Sequence, residues 1–137
     1  MSSTIPIRVL IVTSDAVLRY LLQRVASYYD YNIVGVLTAG SAVKSSVLTL
    51  LPDVILLDAY LPDLDGFSIT QQLRESWLTP IVLITDNNEI LMKALRSGWV
   101  GAEAYLIHPF SVAEVKQAII QAITTHTHHH FGFSTEL

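Results

Sequence analysis

The chain has 137 residues, of which 51% are apolar and 15% charged, and its formal net charge is −4. This length supports one domain with one core, and the composition is that of a globular rather than a disordered protein. A nucleic-acid surface is not expected, because the eight Lys and Arg residues are scattered and phosphate backbones require clustered positive charge. Cysteine is absent, which excludes disulfides, thiolate chemistry and cysteine-ligated zinc.

The sequence contains no membrane or export signal that we recognise. No apolar run approaches the roughly 18 to 20 residues needed to cross a bilayer. The amino terminus also lacks the basic-then-apolar pattern of a secretory signal. We therefore expect a cytoplasmic protein that does not contact membranes.

Apolar runs typical of buried strands alternate along the chain with amphipathic segments. The predicted strands are Ile7 to Val12, Ile33 to Leu37, Val54 to Leu57, Ile81 to Ile84 and Ala104 to Ile107. Helical spacing marks the segments between and after them, at Leu18, Leu21, Leu22 and Val25; Val43, Val47 and Leu51; Ile69, Leu73 and Trp77; Leu91, Ala94, Leu95 and Gly98; and Val112, Val115, Ile119, Ala122 and Ile123, with Ser111 as N-cap. This alternation predicts an α/β fold, a flavodoxin-like (βα)5 three-layer sandwich with a five-stranded parallel sheet.

The predicted domain covers residues 1–124, because the apolar periodicity stops at about Thr124. Residues 125–137 are interpreted as a flexible tail or the start of a linker to an output domain. A histidine cluster in this tail invites a metal-site interpretation, but we favour the plain tail, with adventitious nickel or zinc binding at most. The cluster consists of His126, His128, His129 and His130.

The most informative segment is Val54 to Gly66, in which an apolar run leads into Asp58 and then into a loop rich in Pro, Asp and Gly. A carboxylate in this place lies at the carboxyl end of a parallel strand, where open α/β sheets bind their ligands. The segment resembles the phosphoacceptor segment of response-regulator receiver domains, and the resemblance extends from Arg8 to Ile123. It implies a two-component signalling module in which Asp58 is the phosphoacceptor.

The resemblance fails where the first strand ends. Receivers carry two adjacent acidic residues there, which bind magnesium together with the phosphoacceptor. This chain has Thr13 and Ser14 at those positions, and Asp15 comes one place too late. Asp58 and the carbonyl of Tyr60 are the weak metal candidates that remain. Since magnesium favours one or two carboxylates in an octahedron of oxygens, we expect no cofactor and no strong magnesium binding.

The positions that would contact the phosphoryl group or switch with it are partly kept. Thr85 matches the hydroxyl residue that donates to the phosphoryl oxygens, and Tyr105 matches the aromatic switch residue. His108 stands where the family has lysine, and a histidine does not supply a fixed positive charge near neutral pH. Asp86 follows Thr85, either as a repelling charge or as part of the cap of the next helix. The resemblance also implies a cis bond before Pro109.

The segment from Arg96 to Ala102 is one residue longer than is usual in the family. It precedes the fifth strand and lies on the face that receivers use to signal or to dimerise, which is formed by the fourth helix, fifth strand and fifth helix. Trp99 is therefore a candidate contact residue, for a homodimer among others. The alternative is a ring that folds over the end of the helix.

Three functions fit these observations to different degrees. The first, which we favour, is an atypical receiver: a signalling and protein-interaction module, not an enzyme, whose metal-dependent phosphotransfer is impaired or lost. Its partners would be a histidine kinase, another signalling protein or an output domain. The alternative is a functional phosphoacceptor, phosphorylated on Asp58 by a histidine kinase and controlling transcription through an output domain or partner, with Asp15 or Asp86 adding charge.

The third function is a small flavodoxin-like enzyme or nucleotide binder. It is disfavoured because the turn after the first strand, Val12 to Ala16, contains no glycine for a phosphate-binding loop. No serine, histidine and aspartate set has a nucleophile-elbow context either.

Overall fold

Five parallel strands form the centre of the molecule. A computed structural model describes residues 5–75, 79–99 and 101–131, with the backbone alone at 126–131. The strands are β1 (Arg8–Val12), β2 (Asn32–Leu37), β3 (Val54–Asp58), β4 (Ile81–Thr85) and β5 (Ala104–Ile107). The helices are α1 (Ala16–Tyr28), α2 (Val43–Leu50), α3 (Gly66–Arg74), α4 (Asn88–Arg96) and α5 (Val112–Phe131), with a 3-10 turn at Gly40–Ala42 before α2.

The strands lie in the order β2-β1-β3-β4-β5, and every pair of neighbours is parallel. All residues of β3 and β4 are buried, which is the pattern of central strands covered by helices on both faces. The predicted fold, a flavodoxin-like sandwich with a five-stranded parallel sheet, is confirmed.

Successive residues of each strand point to opposite faces of the sheet, and this alternation divides the core into two layers. One layer joins strand residues such as Ile11 and Leu56 to α1 and α5. The other joins residues such as Leu10 and Leu57 to α2 and α3. The sheet is therefore held from both sides, which fixes the strand ends that carry the site.

Two helices end earlier than their apolar spacing predicts. Leu51 was expected in the second helix, but α2 ends at Leu50 and Leu51 has a φ of 51°. Pro52 follows, and a proline disfavours helical backbone in the residue before it. Gly98 likewise lies outside α4 with a φ of 92°, a conformation that glycine adopts at low cost. The third helix is described as far as Arg74, and the predicted marker Trp77 lies outside the described residues.

The last helix is longer than the sequence pattern predicts. The pattern stops at about position 124, whereas α5 continues to Phe131. It begins with a reciprocal cap in which the Glu114 carboxylate accepts from the Ser111 N–H, at 2.7 Å, and the Ser111 hydroxyl accepts from the Glu114 N–H, at 3.1 Å. The assignment of 125–137 as a tail or linker stays a prediction, and 132–137 lie outside the described residues. Within the described part of the chain, no helix combines the length and the apolar character needed to cross a membrane.

Candidate functional site

Three polar residues end or follow neighbouring strands at the carboxyl edge of the sheet. Asp58 is the last residue of β3, Thr85 is the last residue of β4, and Thr13 follows β1. Their exposed fractions are 5%, 1% and 0% respectively. Because β1, β3 and β4 are adjacent in the sheet, the fold brings together three of the positions predicted from sequence.

Both carboxylate oxygens of Asp58 accept hydrogen bonds from the chain itself. The Thr13 hydroxyl donates to Oδ2 at 2.7 Å, and the Tyr60 backbone N–H donates to Oδ1 at 2.9 Å. Hydrogen bonds to a charged acceptor are among the stronger ones in proteins. Thr13 thus binds the carboxylate of Asp58 directly.

The Tyr60 side chain makes a contact that the sequence analysis did not anticipate. Its hydroxyl lies 3.1 Å from the Thr85 hydroxyl oxygen, and either oxygen can be the donor. The Asn87 backbone N–H also donates to the Thr85 hydroxyl, at 3.1 Å. With 47% of its side chain exposed, Tyr60 lies at the surface of the site, and its backbone and hydroxyl connect Asp58 with Thr85. The only sequence signal was an aromatic residue two places after Asp58.

The other acidic residues near these strand ends serve elsewhere. The Asp15 carboxylate caps α1, where it accepts from the backbone N–H groups of Val17 and Leu18. Ser14 and Asp86 are exposed. Of the two residues considered as caps of the fourth helix, Asn87 is the N-cap of α4, and its side chain accepts from the Ile90 N–H at 2.9 Å.

The described side chains at this edge offer a magnesium ion few ligands. In the portion of the chain that the structure describes, no group of three or more His, Asp or Glu residues is arranged to hold a metal. Asp58 supplies a single buried carboxylate, whose two oxygens are already engaged by Thr13 and Tyr60. Magnesium in proteins is usually held by one or two carboxylates together with waters or phosphate oxygens, and here Asp58 would be that carboxylate.

His108 follows β5 and is exposed. Its backbone N–H donates to the Thr85 carbonyl at 2.9 Å, so the main chain continues the pairing with β4. Its ring packs against Phe110, with 4.5 Å between centroids. Among the described residues, the His108 imidazole makes no hydrogen bond to Asp58. The peptide bond between His108 and Pro109 is cis, the isomer that the resemblance implies.

Tyr105 lies on the other side of the site and is half-buried, packed against the core layer of α2 and α3. Burial raises the pKa of its hydroxyl, while a hydrogen bond with the Ala102 backbone acts in the opposite direction. Its ring centroid lies 6.4 Å from that of Trp99. The indole N–H of Trp99 donates to the Phe67 carbonyl at 2.9 Å, so this ring packs against α3, and its role as a contact residue stays a prediction.

A buried ion pair beside Tyr105 was missed by the sequence analysis. The Arg74 guanidinium of α3 pairs with the Glu103 carboxylate just before β5. The same carboxylate accepts from the Ile81 N–H at 2.8 Å, and Arg74 Nε donates to the Gly101 carbonyl at 3.2 Å. Neither apolar periodicity nor motif spacing predicts a contact between residues so far apart in the chain.

Comparison with known proteins identifies the family. Residues 9–120 match the model of the response regulator receiver domain. The chain belongs to this family. Receiver domains are signalling modules of two-component systems, and they interact with histidine kinases and output domains.

Individual relatives agree with this assignment. The receiver domain described here is 31% identical over 125 residues to the transcriptional regulatory protein PdtaR of Mycobacterium tuberculosis (strain CDC 1551 / Oshkosh), an alignment that covers 89% of this chain and 59% of PdtaR. The chain spans about half of the length of other curated relatives that it matches, which are also transcriptional regulators.

Solved receiver structures share the fold. The signal receiver domain of the putative response regulator NarL from Mycobacterium tuberculosis superposes with a TM-score of 0.77 at 27% identity, covering 88% of this chain and 98% of that one. The receiver domain of the sensor histidine kinase PA1611 from Pseudomonas aeruginosa PAO1, described with a magnesium ion in its active site cleft, gives 0.74 at 25% identity, covering 88% and 99%.

Proposed function

We propose that this receiver domain is an atypical one: a signalling and protein-interaction module in which metal-dependent phosphotransfer to Asp58 is impaired or lost. The observation that carries the proposal is the 2.7 Å hydrogen bond from the Thr13 hydroxyl to Asp58 Oδ2. A hydroxyl in this place satisfies the carboxylate without a cation. The pocket is therefore stable with no metal and no phosphoryl group in it.

Electrostatics supports the same proposal. A phosphoryl group carries between one and two negative charges at neutral pH, and beside a carboxylate it requires cations to offset the repulsion. This pocket offers Thr13 and Ser14 in place of metal-binding acids, and an exposed histidine in place of lysine. With three changes at one site, neither the metal nor the fixed ammonium group is available to stabilise the transferred phosphate.

The alternative is a functional phosphoacceptor, and one observation favours it. Asp58 and Thr85 lie at adjacent strand ends, where a phosphoryl group on Asp58 would be within reach of the Thr85 hydroxyl. Tyr60 and Thr13 would then have to release their hydrogen bonds as phosphate enters. A histidine kinase would phosphorylate Asp58, and control of transcription would follow by analogy with the curated relatives.

The decisive experiment is a titration with magnesium, and then with magnesium and beryllofluoride, followed by backbone amide shifts. We expect no saturable shift near Asp58 and Thr85 in the wild-type protein. A variant that combines Thr13→Asp, Ser14→Asp and His108→Lys supplies the missing charges and is expected to give saturable shifts in the same assay. Saturable shifts in the wild-type protein that disappear in Asp58→Asn would overturn the proposal and establish the alternative.

The proposed partners are proteins: a histidine kinase, another signalling protein or an output domain, in the cytoplasm. Self-association through the face formed by α4, β5 and α5 is part of this proposal. Ile90, Met92 and Ile120 expose apolar surface on those helices. Light scattering over a range of protein concentrations tests it, and a mass that stays monomeric at all of them removes the homodimer.

A further inference from the structure

The position of the Tyr105 ring depends on the space left by a nearby glycine, Gly101. A Cβ atom added to Gly101 would lie 1.9 Å from the Tyr105 hydroxyl oxygen. Bonded neighbours aside, protein atoms do not approach so closely, so the inward ring and a side chain at position 101 are mutually exclusive. The next contacts of that Cβ, with Cζ of the same ring and Leu95 Cδ2 at 3.3 Å, are also tight, but a shift of a few tenths of an ångström relieves them.

The requirement for glycine at this position is steric rather than conformational. Gly98 has a positive φ, which side chains rarely adopt, whereas Gly101 has none. An alanine would therefore be tolerated by the backbone of Gly101, and its severe steric conflict is with the Tyr105 hydroxyl.

Groups from several secondary-structure elements surround the Tyr105 hydroxyl and ring. The Ala102 backbone hydrogen-bonds to it, and the ion pair of Arg74 and Glu103 is close enough to act on it electrostatically. The ring faces Trp99, which is itself fixed by its hydrogen bond to the Phe67 carbonyl. Asp58 instead accepts hydrogen bonds from Thr13 and Tyr60.

We propose that Gly101 is a positioning residue that provides the space for the Tyr105 hydroxyl, and that this packing, rather than phosphorylation, sets the conformation of the α4–β5 face. The surface offered to a partner is then present in the unmodified protein. A side chain at position 101 would move the ring outward and change that surface with Asp58 untouched.

A cycle of variants tests the proposal, using Gly101→Ala, Tyr105→Phe and the two combined. The measured quantities are the nuclear Overhauser contacts between ring 105 and the Trp99 indole, and the urea midpoint. Gly101→Ala is expected to lose the ring contacts and to lower the midpoint. Tyr105→Phe keeps the contacts, and in its background Gly101→Ala is expected to lower the midpoint less, because the closest ring atom is then 3.3 Å rather than 1.9 Å from the new Cβ, a tight contact that a shift of a few tenths of an ångström relieves.

A matched control separates the ring position from stability in general. Gly98→Ala places its Cβ in open space but strains a backbone with a φ of 92°. It is expected to lower the midpoint and to leave the ring contacts unchanged. If Gly101→Ala does not fold, recovery of fold and ring contacts in the combined variant supports the proposal equally well.

The proposal is overturned if Gly101→Ala keeps the ring contacts, or if it is equally damaging with and without the hydroxyl. The inference deepens the proposed function, since it names what sets the conformation of a receiver that does not depend on phosphate. The cycle uses neither metal nor phosphodonor. A negative result in this cycle would therefore overturn only the role of Gly101. A saturable beryllofluoride response would overturn the proposed function and would leave the conclusion about ring packing intact.

Discussion

At the scale of single residues, the Thr13 hydroxyl affects the chemistry of the pocket because it donates to a carboxylate that is almost fully buried. A buried carboxylate without such a donor is costly, since burial disfavours its charged form. The same hydroxyl also accepts from the Asp15 N–H at 3.0 Å, so Thr13 connects the site to the cap of α1.

Replacing Thr13 with valine keeps the shape of the side chain and removes the donor. We expect a loss of about 1.5 to 3 kcal/mol in the free energy of unfolding, the range for hydrogen bonds to charged groups, in urea denaturation at neutral pH. Thr13→Ser retains the hydroxyl and is expected to cost less. An exposed neighbour, Ser14→Ala, should stay within about 0.5 kcal/mol of wild type. Equal losses for the valine and serine variants would contradict the role of the hydroxyl.

Asp63 connects two loops at the same edge of the sheet. Its carboxylate accepts from the backbone N–H groups of Gly40 and Ser41, at 2.8 and 2.9 Å. These hydrogen bonds lower its pKa from 3.8 to about 2. Because the folded pKa is below the unfolded one, the stabilisation is complete above about pH 4 and is lost as the pH falls towards 2.

The pH dependence of Asp63 can be followed through the amide shifts of Gly40 and Ser41. We expect both shifts to titrate together with a midpoint near 2, and Asp63→Asn to abolish that step. A shared midpoint near 4 would show that the two hydrogen bonds do not favour the charged carboxylate in solution.

Sequence reasoning predicted where the candidate site residues lie in the fold but not the contacts between their side chains. Asp58, Thr13 and Thr85 were placed correctly at strand ends, because strand boundaries follow from apolar runs and the carboxyl ends of neighbouring strands share one edge. The contact of the Tyr60 hydroxyl with Thr85 and the exposure of His108 depend on rotamers and packing. Spacing in a sequence carries no information on either.

At the scale of secondary-structure elements, the Arg74–Glu103 pair joins α3 to the segment before β5. A buried ion pair is not necessarily a net gain in stability, but removal of one partner leaves the other charge buried and poorly compensated. The pair also borders the ring of Tyr105, so its integrity affects the same face as Gly101.

We expect Arg74→Met to lower the free energy of unfolding by about 3 to 5 kcal/mol, since it leaves the Glu103 carboxylate buried without this guanidinium. Glu103→Gln keeps an acceptor for the Ile81 N–H and isolates the loss of charge. The combined variant should cost less than the sum of the single ones, because it buries no unpaired charge. Chemical denaturation of the four proteins measures the coupling, and strict additivity would refute it.

The ends of the helices were predicted less accurately than their existence. Apolar periodicity located all five helices, yet it extended the second to Leu51, where the following proline ends it. It ended the last at Thr124, although α5 continues to Phe131. The histidines and threonines of that final stretch leave no apolar period, and a helix whose face is not buried has no periodic signal to detect.

At the scale of the whole molecule, the division of the core into two layers explains why the fold was predictable. Five apolar runs without alternation require helices on both faces, and right-handed parallel connections then leave few topologies. The strand order β2-β1-β3-β4-β5 places Asp58 at the centre of the sheet, between the strands that carry Thr13 and Thr85. The fold thus determines which residues meet, and individual substitutions determine what they do.

The same strand order has a consequence for how the protein avoids aggregation. β2 and β5 are the edges of the sheet, and an open edge can pair with a strand of another molecule. β5 has only four residues, and Pro109, which follows it after one residue, lacks the N–H needed to extend the ladder. A short edge that ends in proline offers a poor template for intermolecular pairing, so recognition on this side depends on side chains such as Tyr105 and not on the bare backbone.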